Sequence, residues 1–190
     1  DHFKKSGTPT MGGIVVVTIG LLLGNLISLS SPDYNKIACI SISMIGFMLI
    51  GVLDDWKSLT QKTNSGLSPK NKIYLQIGVA ALFLILGKAN NLIDPIIKLP
   101  MNIKINAGIL IIPLCIFVFI AESNSTNLTD GLDGLASGSG ALVFTGLAIE
   151  QVLNRNQGSY AIAGFSIVLA GSWLGFLVHN KNPAKIFMGD

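Results

Sequence analysis

Charge is scarce in this sequence. Of its 190 residues only 12% are Asp, Glu, Lys or Arg, against roughly 25% in an average soluble domain. Cysteine occurs twice, as Cys39 and Cys115, each inside an uncharged apolar run. That excludes a disulfide framework or a paired zinc site and leaves both as small buried hydrophobes. Aromatic residues make up 7% and do not interleave with a basic stripe, so the pI of 8.9 does not point to nucleic acid. Acids are almost absent from the middle of the apolar runs; Glu150 is the one read as lying deep in a run. A transporter tends to place its acids in mid-membrane and to repeat broken helices. No such repeat is visible, and a transporter stands only as the alternative of another class. Position 1 is Asp, not Met, and the text stops at Asp190 directly after a Gly. We therefore read it as the middle of a longer protein, truncated at both ends, in which no signal peptide can be judged.

What is present is hydrophobic sequence: 50% of the residues, with a mean hydropathy of +0.62. It falls into six apolar runs, Ile14–Ser30, Ile37–Leu53, Ile73–Gly87, Ala107–Ala121, Leu135–Leu153 and Tyr160–Val178. A spanning helix needs about 20 apolar residues, with about 17 as the lower limit. Six buried helices of a soluble core would leave too little polar sequence to cover them. The expected fold is an all-α polytopic membrane bundle, with residues 1–190 as a single transmembrane domain of six helices. The third run is short and is expected to begin near Pro69, since Pro is tolerated at a helix start. The fourth contains Pro113, expected to kink it. Residues 88–106 alternate in Ile96-Ile97-Lys98-Leu99 and Asn102-Ile103-Lys104-Ile105 around Pro100, which predicts a small hairpin outside the membrane.

Six spans put both ends on one side. That side holds Lys4, Lys5, Lys57, Lys62, Lys70, Lys72, Lys181 and Lys185, and the other holds Lys36, Lys88, Lys98, Lys104 and Arg155. The excess assigns the ends to the cytoplasm. Asp54, Asp55, Asp130, Asp133 and Asp190 fall on that side as well, which suits chemistry between a soluble substrate and a lipid head group.

Four polar stretches sit at this interface. Gly51-Val52-Leu53-Asp54-Asp55-Trp56-Lys57 ends an apolar run in two adjacent carboxylates. Neighbouring acids repel and are costly near hydrocarbon. A cation neutralises them best, and oxygen-only ligands suit a hard ion, Mg²⁺ first, which in turn implies phosphates. The bland alternative is a solvated helix end. Lys5-Ser6-Gly7-Thr8-Pro9-Thr10-Met11-Gly12-Gly13 offers a cation, hydroxyls and close backbone approach to a phosphate, or else a flexible turn with a snorkelling Lys. It is not a Walker A loop, because the Gly-Lys-Ser/Thr order is absent. Lys62, Lys70 and Lys72 surround Ser65-Gly66-Leu67-Ser68-Pro69 and are read as meeting both substrate phosphate and anionic lipid. Asn124-Ser125-Thr126-Asn127-Leu128-Thr129-Asp130-Gly131-Leu132-Asp133-Gly134 lacks EF-hand spacing; its amides and acids suit a uracil edge or sugar hydroxyls, or form only a Gly-rich turn. The last stretch, His179 to Asp190, ends in a third acid at the same interface. His179 is read as structural.

Together these stretches resemble the phospho-N-acetylmuramoyl-pentapeptide transferase (MraY) family, within the polyprenyl-phosphate N-acetylhexosamine 1-phosphate transferases. The matching elements are Gly7-Thr8-Pro9-Thr10-Met11-Gly12-Gly13, Leu53-Asp54-Asp55, Asn127-Leu128-Thr129-Asp130-Gly131-Leu132-Asp133-Gly134-Leu135-Ala136, and Pro183-Ala184 with Phe187-Met188-Gly189-Asp190. The resemblance implies transfer of phospho-N-acetylmuramoyl-pentapeptide from its UDP conjugate (UDP-MurNAc-pentapeptide) to undecaprenyl phosphate, giving lipid I and UMP. It implies a Mg²⁺ cofactor and a multi-pass protein of the bacterial cytoplasmic membrane with its site on the cytoplasmic face, and it allows a homodimer. Carried over by position, Asp54, Asp55 and Asp190 are the catalytic acids, with Asp190 the metal ligand. Lys5, Thr10, Asn127, Asp130, Asp133, Asn180 and Phe187 fall where the family lines its uridine and phosphate pocket. Within the enzyme class the alternative is transfer of N-acetylglucosamine 1-phosphate.

The sequence departs from the family in two ways. The family's Asp-Asp-x-x-Lys reads here Asp54-Asp55-Trp56-Lys57-Ser58, one position early. Lys70 or Lys72 is the alternative bearer of that Lys's role, with Lys57 snorkelling to head groups. The family's downstream His cluster and terminal spans lie beyond this sequence.

Overall fold

The computed structural model describes residues 8–61, 66–99, 101, 103–154 and 159–190. They form six α-helices: α1 (Gly13–Ser28), α2 (Tyr34–Gln61), α3 (Pro69–Ala89), α4 (Ile111–Thr129), α5 (Leu135–Leu153) and α6 (Tyr160–Asn180). All but α1, which has 16 residues, are long and apolar enough to cross a membrane. The chain is a multi-pass, all-α membrane bundle.

The helix ends differ from the sequence reading in three informative places. α2 does not stop at the acids: it continues to Gln61, so Asp54 and Asp55 lie inside it. Residues 56–61 contain no Gly or Pro to break the ladder, and the helix outlasts its apolar run. α3 begins as expected, with Pro69 at its start and the Ser68 hydroxyl accepting a bond from the Asn71 N–H at 3.3 Å. The expected kink at Pro113 does not arise. α4 begins only at Ile111, after a single 3₁₀ turn at Gly108–Leu110. Pro113 therefore lies in the first turn, where its missing N–H had no intrahelical acceptor to lose. At its other end α4 runs through the polar stretch to Thr129, so Ser123, Asn124 and Asn127 project from a helix and not from a turn.

The hairpin is present as β1 (Ile96–Lys98) and β2 (Lys104–Asn106), antiparallel with Ile97 opposite Ile105 and Lys98 opposite Lys104. Pro100, around which the hairpin was expected to turn, and Asn102, expected to open its second strand, lie outside the described residues.

The bundle is organised around α6, which packs most extensively against α5 and α1; α2 continues from α1 to α3, and α3 to α4. A core of Leu21, Ile37, Phe165 and Leu169 fills the junction. α1 approaches α6 closely because Gly20 and Gly24 present no side chain there. A Cβ on Gly20 would lie 2.6 Å from Leu169 Cδ2, and one on Gly24 2.6 Å from Phe165 Cδ2. This is the small-residue packing by which membrane helices associate without a hydrophobic driving force. The outward faces are apolar, with Leu142 76% and Ile85 69% exposed, while Gln76, Asn180 and Ser137 are buried. A soluble monomer rarely exposes such apolar area; lipid covers it.

Antiparallel helices sort the polar residues to two ends. At one end the Ser159 hydroxyl donates to Asp33 Oδ2 at 2.6 Å and Lys36 pairs with Asp33 Oδ1 at 2.8 Å, tying the α1–α2 turn to the start of α6. The hairpin lies at this same end of the helices. The other end holds the Asp54 group, the start of α3, the end of α4 and the segments 8–12 and 181–190.

Candidate active site

The site is built on α2. Asp54 lies near the C-terminal end of that helix, where its carboxylate leaves the apolar run and faces the loop into α3. There the Leu67 N–H donates to Asp54 Oδ1 at 2.9 Å. Gly66 lies so close that any side chain on it would strike the Asp54 carboxylate. Leu67 therefore holds Asp54 through its backbone, and Gly66 is required by close approach.

α3 then carries Lys72 back over the acids. Its ammonium binds the Asp190 carboxylate and lies 3.9 Å from Asp54 Oδ1. From α4 the Asn127 side-chain amide donates to Asp190 Oδ1. Asp55 accepts the Asp190 backbone N–H at 3.2 Å. Side chains from α2, α3 and α4 thus converge on one residue.

Asp190 is delivered by a clamp between the two polar segments that flank the bundle. The Phe187 N–H donates to the Pro9 carbonyl at 2.9 Å, and the Gly12 and Gly13 N–H groups donate to the carbonyls of Phe187 and Met188 at 3.0 and 2.9 Å. Met11 adopts φ 70° and Gly189 φ 82°. The left-handed turn at Met11 costs roughly 1–2 kcal/mol and is held by these flanking bonds. At Gly189 a side chain would also strike the Asp55 carboxylate. Asp130 Oδ2 accepts the Gly189 N–H at 3.0 Å, and Asp133 Oδ2 accepts from Asn182 Nδ2 and the Ala184 N–H, each at 3.1 Å. Asn180 is fully buried. Its amide donates to the Ile186 carbonyl at 3.0 Å and accepts from Ser137 Oγ at 2.7 Å and the Gly134 N–H at 3.1 Å.

Among the described residues, three carboxylates and one ammonium leave the cluster anionic. Burial pushes the Asp190 carboxyl up, but its contacts with Asp54, Lys72 and Asn127 outweigh that and hold it below the usual carboxylate range. Beside the cluster opens a cavity of about 340 Å³. Asp55, Asn127, Asp130 and Asp190 line its polar end, and Met44, Phe47, Phe119, Phe144 and Trp173 are among its apolar walls. It is a space with an ionic mouth and a hydrocarbon-like interior.

The model of glycosyl transferase family 4 matches residues 37–190, which contain α2 through Asp190. The chain belongs to glycosyl transferase family 4. Within this family-4 chain, residues 5–17 match the phospho-N-acetylmuramoyl-pentapeptide-transferase signature 1, the segment that clamps Phe187 and Met188. Curated relatives named phospho-N-acetylmuramoyl-pentapeptide-transferase are similar over the whole chain. Those of Prochlorococcus marinus (strain MIT 9313) and Synechococcus sp. (strain WH7803) are each 52% identical over 100% of this chain and 51% and 52% of their own lengths. That of Synechococcus sp. (strain CC9311) is 51% identical over 100% of this chain and 51% of its own. The family-4 chain spans about half the length of these relatives.

Of the residues singled out from sequence, Asp54, Asp55, Lys72, Asn127, Asp130 and Asp190 are brought together. Thr10 lies beside Gly189, where its Oγ1 would be 2.8 Å from an added Cβ. Phe187 enters through its backbone. Asp133, through Oδ2, and Asn180, through both its amide atoms, hold the segment that carries Asp190. Lys70 is exposed: two residues from Lys72, it lies about 200° round the helix and cannot share its direction. Lys57 is half-buried, but the ammonium that meets Asp54 and Asp190 belongs to Lys72. Lys5 and Lys62 lie outside the described residues.

Sequence reading missed the role of Gly66, and also Glu122, Ser123 and Thr126 on the cavity wall. Once α4 is known to continue to Thr129, the spacing of 123, 127 and 130 places them on one face; that was the available signal.

Among the described residues, no three His, Cys, Asp or Glu side chains are grouped to hold a metal ion. The Lys72 ammonium supplies the positive charge between Asp54 and Asp190. The carboxylates of Asp55 and Asp190 are oxygen donors and fit a hard divalent cation.

Proposed function

We propose that the full-length protein transfers phospho-N-acetylmuramoyl-pentapeptide from UDP to undecaprenyl phosphate, with Mg²⁺. The observation that supports this best is the convergence of Lys72, Asn127, Asp54 and Asp55 on Asp190 at the mouth of an apolar-walled cavity. The ionic mouth suits phosphates and the apolar wall suits a polyprenyl chain. The names of the relatives point the same way.

In this reading a lipid phosphate oxygen attacks the sugar-linked phosphorus, the new P–O bond forms, and the bond to UMP breaks, with UMP taking the electron pair. Both partners are anionic, so the barrier is mainly charge repulsion. Lys72 offsets negative charge on the phosphates. Asp54, held by Leu67, positions the lipid phosphate. A phosphate monoester is already largely dianionic near neutral pH, its second pKa being about 6, so Asp54 need not act as a strong base. Asp190, with Asp55, would hold the metal. A bound Mg²⁺ would neutralise the diphosphate and polarise its oxygens.

The full-length enzyme, given undecaprenyl phosphate, is expected to release UMP from UDP-MurNAc-pentapeptide and not from UDP-GlcNAc. The reverse preference overturns the substrate assignment, and no release from either overturns the reaction class.

The site end is proposed to face the cytoplasm. Single Cys substitutions at Lys70 and Met101, both exposed, are expected to label from the cytoplasmic and the outer side respectively. Labelling of both from one side contradicts this topology.

A further inference from the structure

α3 is an apolar span with few buried residues, yet one of them is an amide: Gln76 is 0% exposed. Both ends of that amide are used. Its Nε2 donates to Ser123 Oγ on α4 at 3.2 Å, and its Oε1 accepts from Asn124 Nδ2 at 3.1 Å. Asn124 also donates to the Ile120 carbonyl at 2.7 Å, which fixes its own orientation. This is a directional lock between two helices that otherwise meet through apolar contacts such as the edge-on Phe83–Phe119 pair, 5.0 Å between centroids.

The position of the lock is informative. Gln76 lies four residues after Lys72 on α3, and Asn127 lies four after Ser123 and three after Asn124 on α4. These are same-face spacings on a helix. The helices run antiparallel, so Lys72 and Asn127 project from the same level, one turn beyond the lock. Both end on the Asp190 carboxylate. Apolar packing alone would let α3 slide or rotate against α4, since its contacts are non-directional. Amide hydrogen bonds in a medium without competing water specify both depth and rotation.

We propose that Gln76 is a positioning residue for the transferase reaction: by bonding Ser123 and Asn124 it sets the separation of Lys72 and Asn127 and so how the two meet the Asp190 carboxylate. Gln76 itself touches none of the reacting groups. The kinetic part of this rests on the transferase reading above; the geometric part does not.

The test uses the full-length enzyme with Gln76→Leu, which keeps bulk and removes both bonds. Spin labels at exposed Lys70 and Leu128 report the α3–α4 distance whether or not the protein is a transferase. The parent is expected to give one narrow distribution and Gln76→Leu a shifted or broadened one. In the unlabelled enzyme kcat is expected to fall about tenfold to a hundredfold, the scale of a misplacement of about 1 Å, with KM for the nucleotide substrate little changed. The loss should shrink when Lys72 is already Ala, because coupled residues are not additive. If Gln76→Leu does not fold, Ser123→Ala removes one bond only and is read by the same distances. An unchanged distance distribution, or an unchanged kcat in an active enzyme, overturns the proposal. An inactive parent with a distribution that shifts on substitution leaves the lock standing and overturns the transferase reading instead.

Discussion

Asp190→Asn in the full-length enzyme is expected to cut turnover by about a hundredfold or more while the protein keeps its fold. Asp190 is the residue on which Lys72, Asn127 and Asp55 all converge. Its carboxylate accepts from two donors, and an amide can offer only one oxygen. Its NH₂ group would then face either the Lys72 ammonium or the Asn127 amide, donor against donor. The fold survives because the segment carrying Asp190 is held elsewhere, by the Phe187 N–H on the Pro9 carbonyl and the Gly189 N–H on the Asp130 carboxylate. An amide is also a poorer ligand for a hard cation, so the Mg²⁺ concentration for half-maximal rate should rise. Asp54→Asn should differ in kind. Its side-chain oxygen can still accept from the Leu67 N–H, so turnover falls by a similar factor, roughly what loss of one preorganised polar group costs, without a changed Mg²⁺ requirement. Steady-state rates across a Mg²⁺ titration distinguish the two. Normal activity of Asp190→Asn at low Mg²⁺ would show that Asp190 is not a metal ligand.

Lys72→Ala is expected to be nearly as damaging, again about a hundredfold, with Lys57→Ala and Lys70→Ala within a few-fold of the parent. The three lysines are similar by sequence but not by direction. Lys72 reaches Asp54 and Asp190 together, Lys70 points into the surroundings, and Lys57 lies on α2 itself. Among the described residues, removing Lys72 takes away the ammonium that meets Asp54 and Asp190, and these carboxylates would then repel an incoming diphosphate. Lys72→Arg should rescue poorly. The guanidinium is a planar fork that favours bidentate pairing, whereas this position places a compact charge between two separate acids. Kinetics of the four variants decide the matter, and a strong loss confined to Lys57→Ala would reassign the role.

Which parts of this protein were legible from sequence follows from the range of the forces involved. Membrane helices must satisfy their own backbone, so the six apolar runs translate directly into six helices, five of them long and apolar enough to span. The start of α3 at Pro69 and the hairpin at 96–106 were equally local: a proline tolerated at a helix start, and an alternating pattern on either side of Pro100. Helix ends were less legible. Polar residues do not end a helix unless they break it, so α2 outran its apolar run to Gln61 and α4 carried its polar stretch to Thr129. The Pro113 kink failed for the related reason that where a helix begins decides what a proline costs.

The sequence by itself determined that this chain is a multi-pass helical bundle and that its acids, amides and lysines gather toward one end, because hydropathy and charge are properties of single residues and short windows. Its four polar stretches also sufficed to indicate the family. What it did not contain was direction. That Lys72 rather than Lys70 or Lys57 meets Asp190, that Asn180 and Asp133 hold the chain that carries Asp190, and that Gly66 yields its space to Asp54 depend on how helices distant in sequence are rotated and set against each other. Those rotations are fixed by contacts such as Gly24 on Phe165 and Gln76 on Ser123, and no local pattern encodes such a contact until both of its partners are in place.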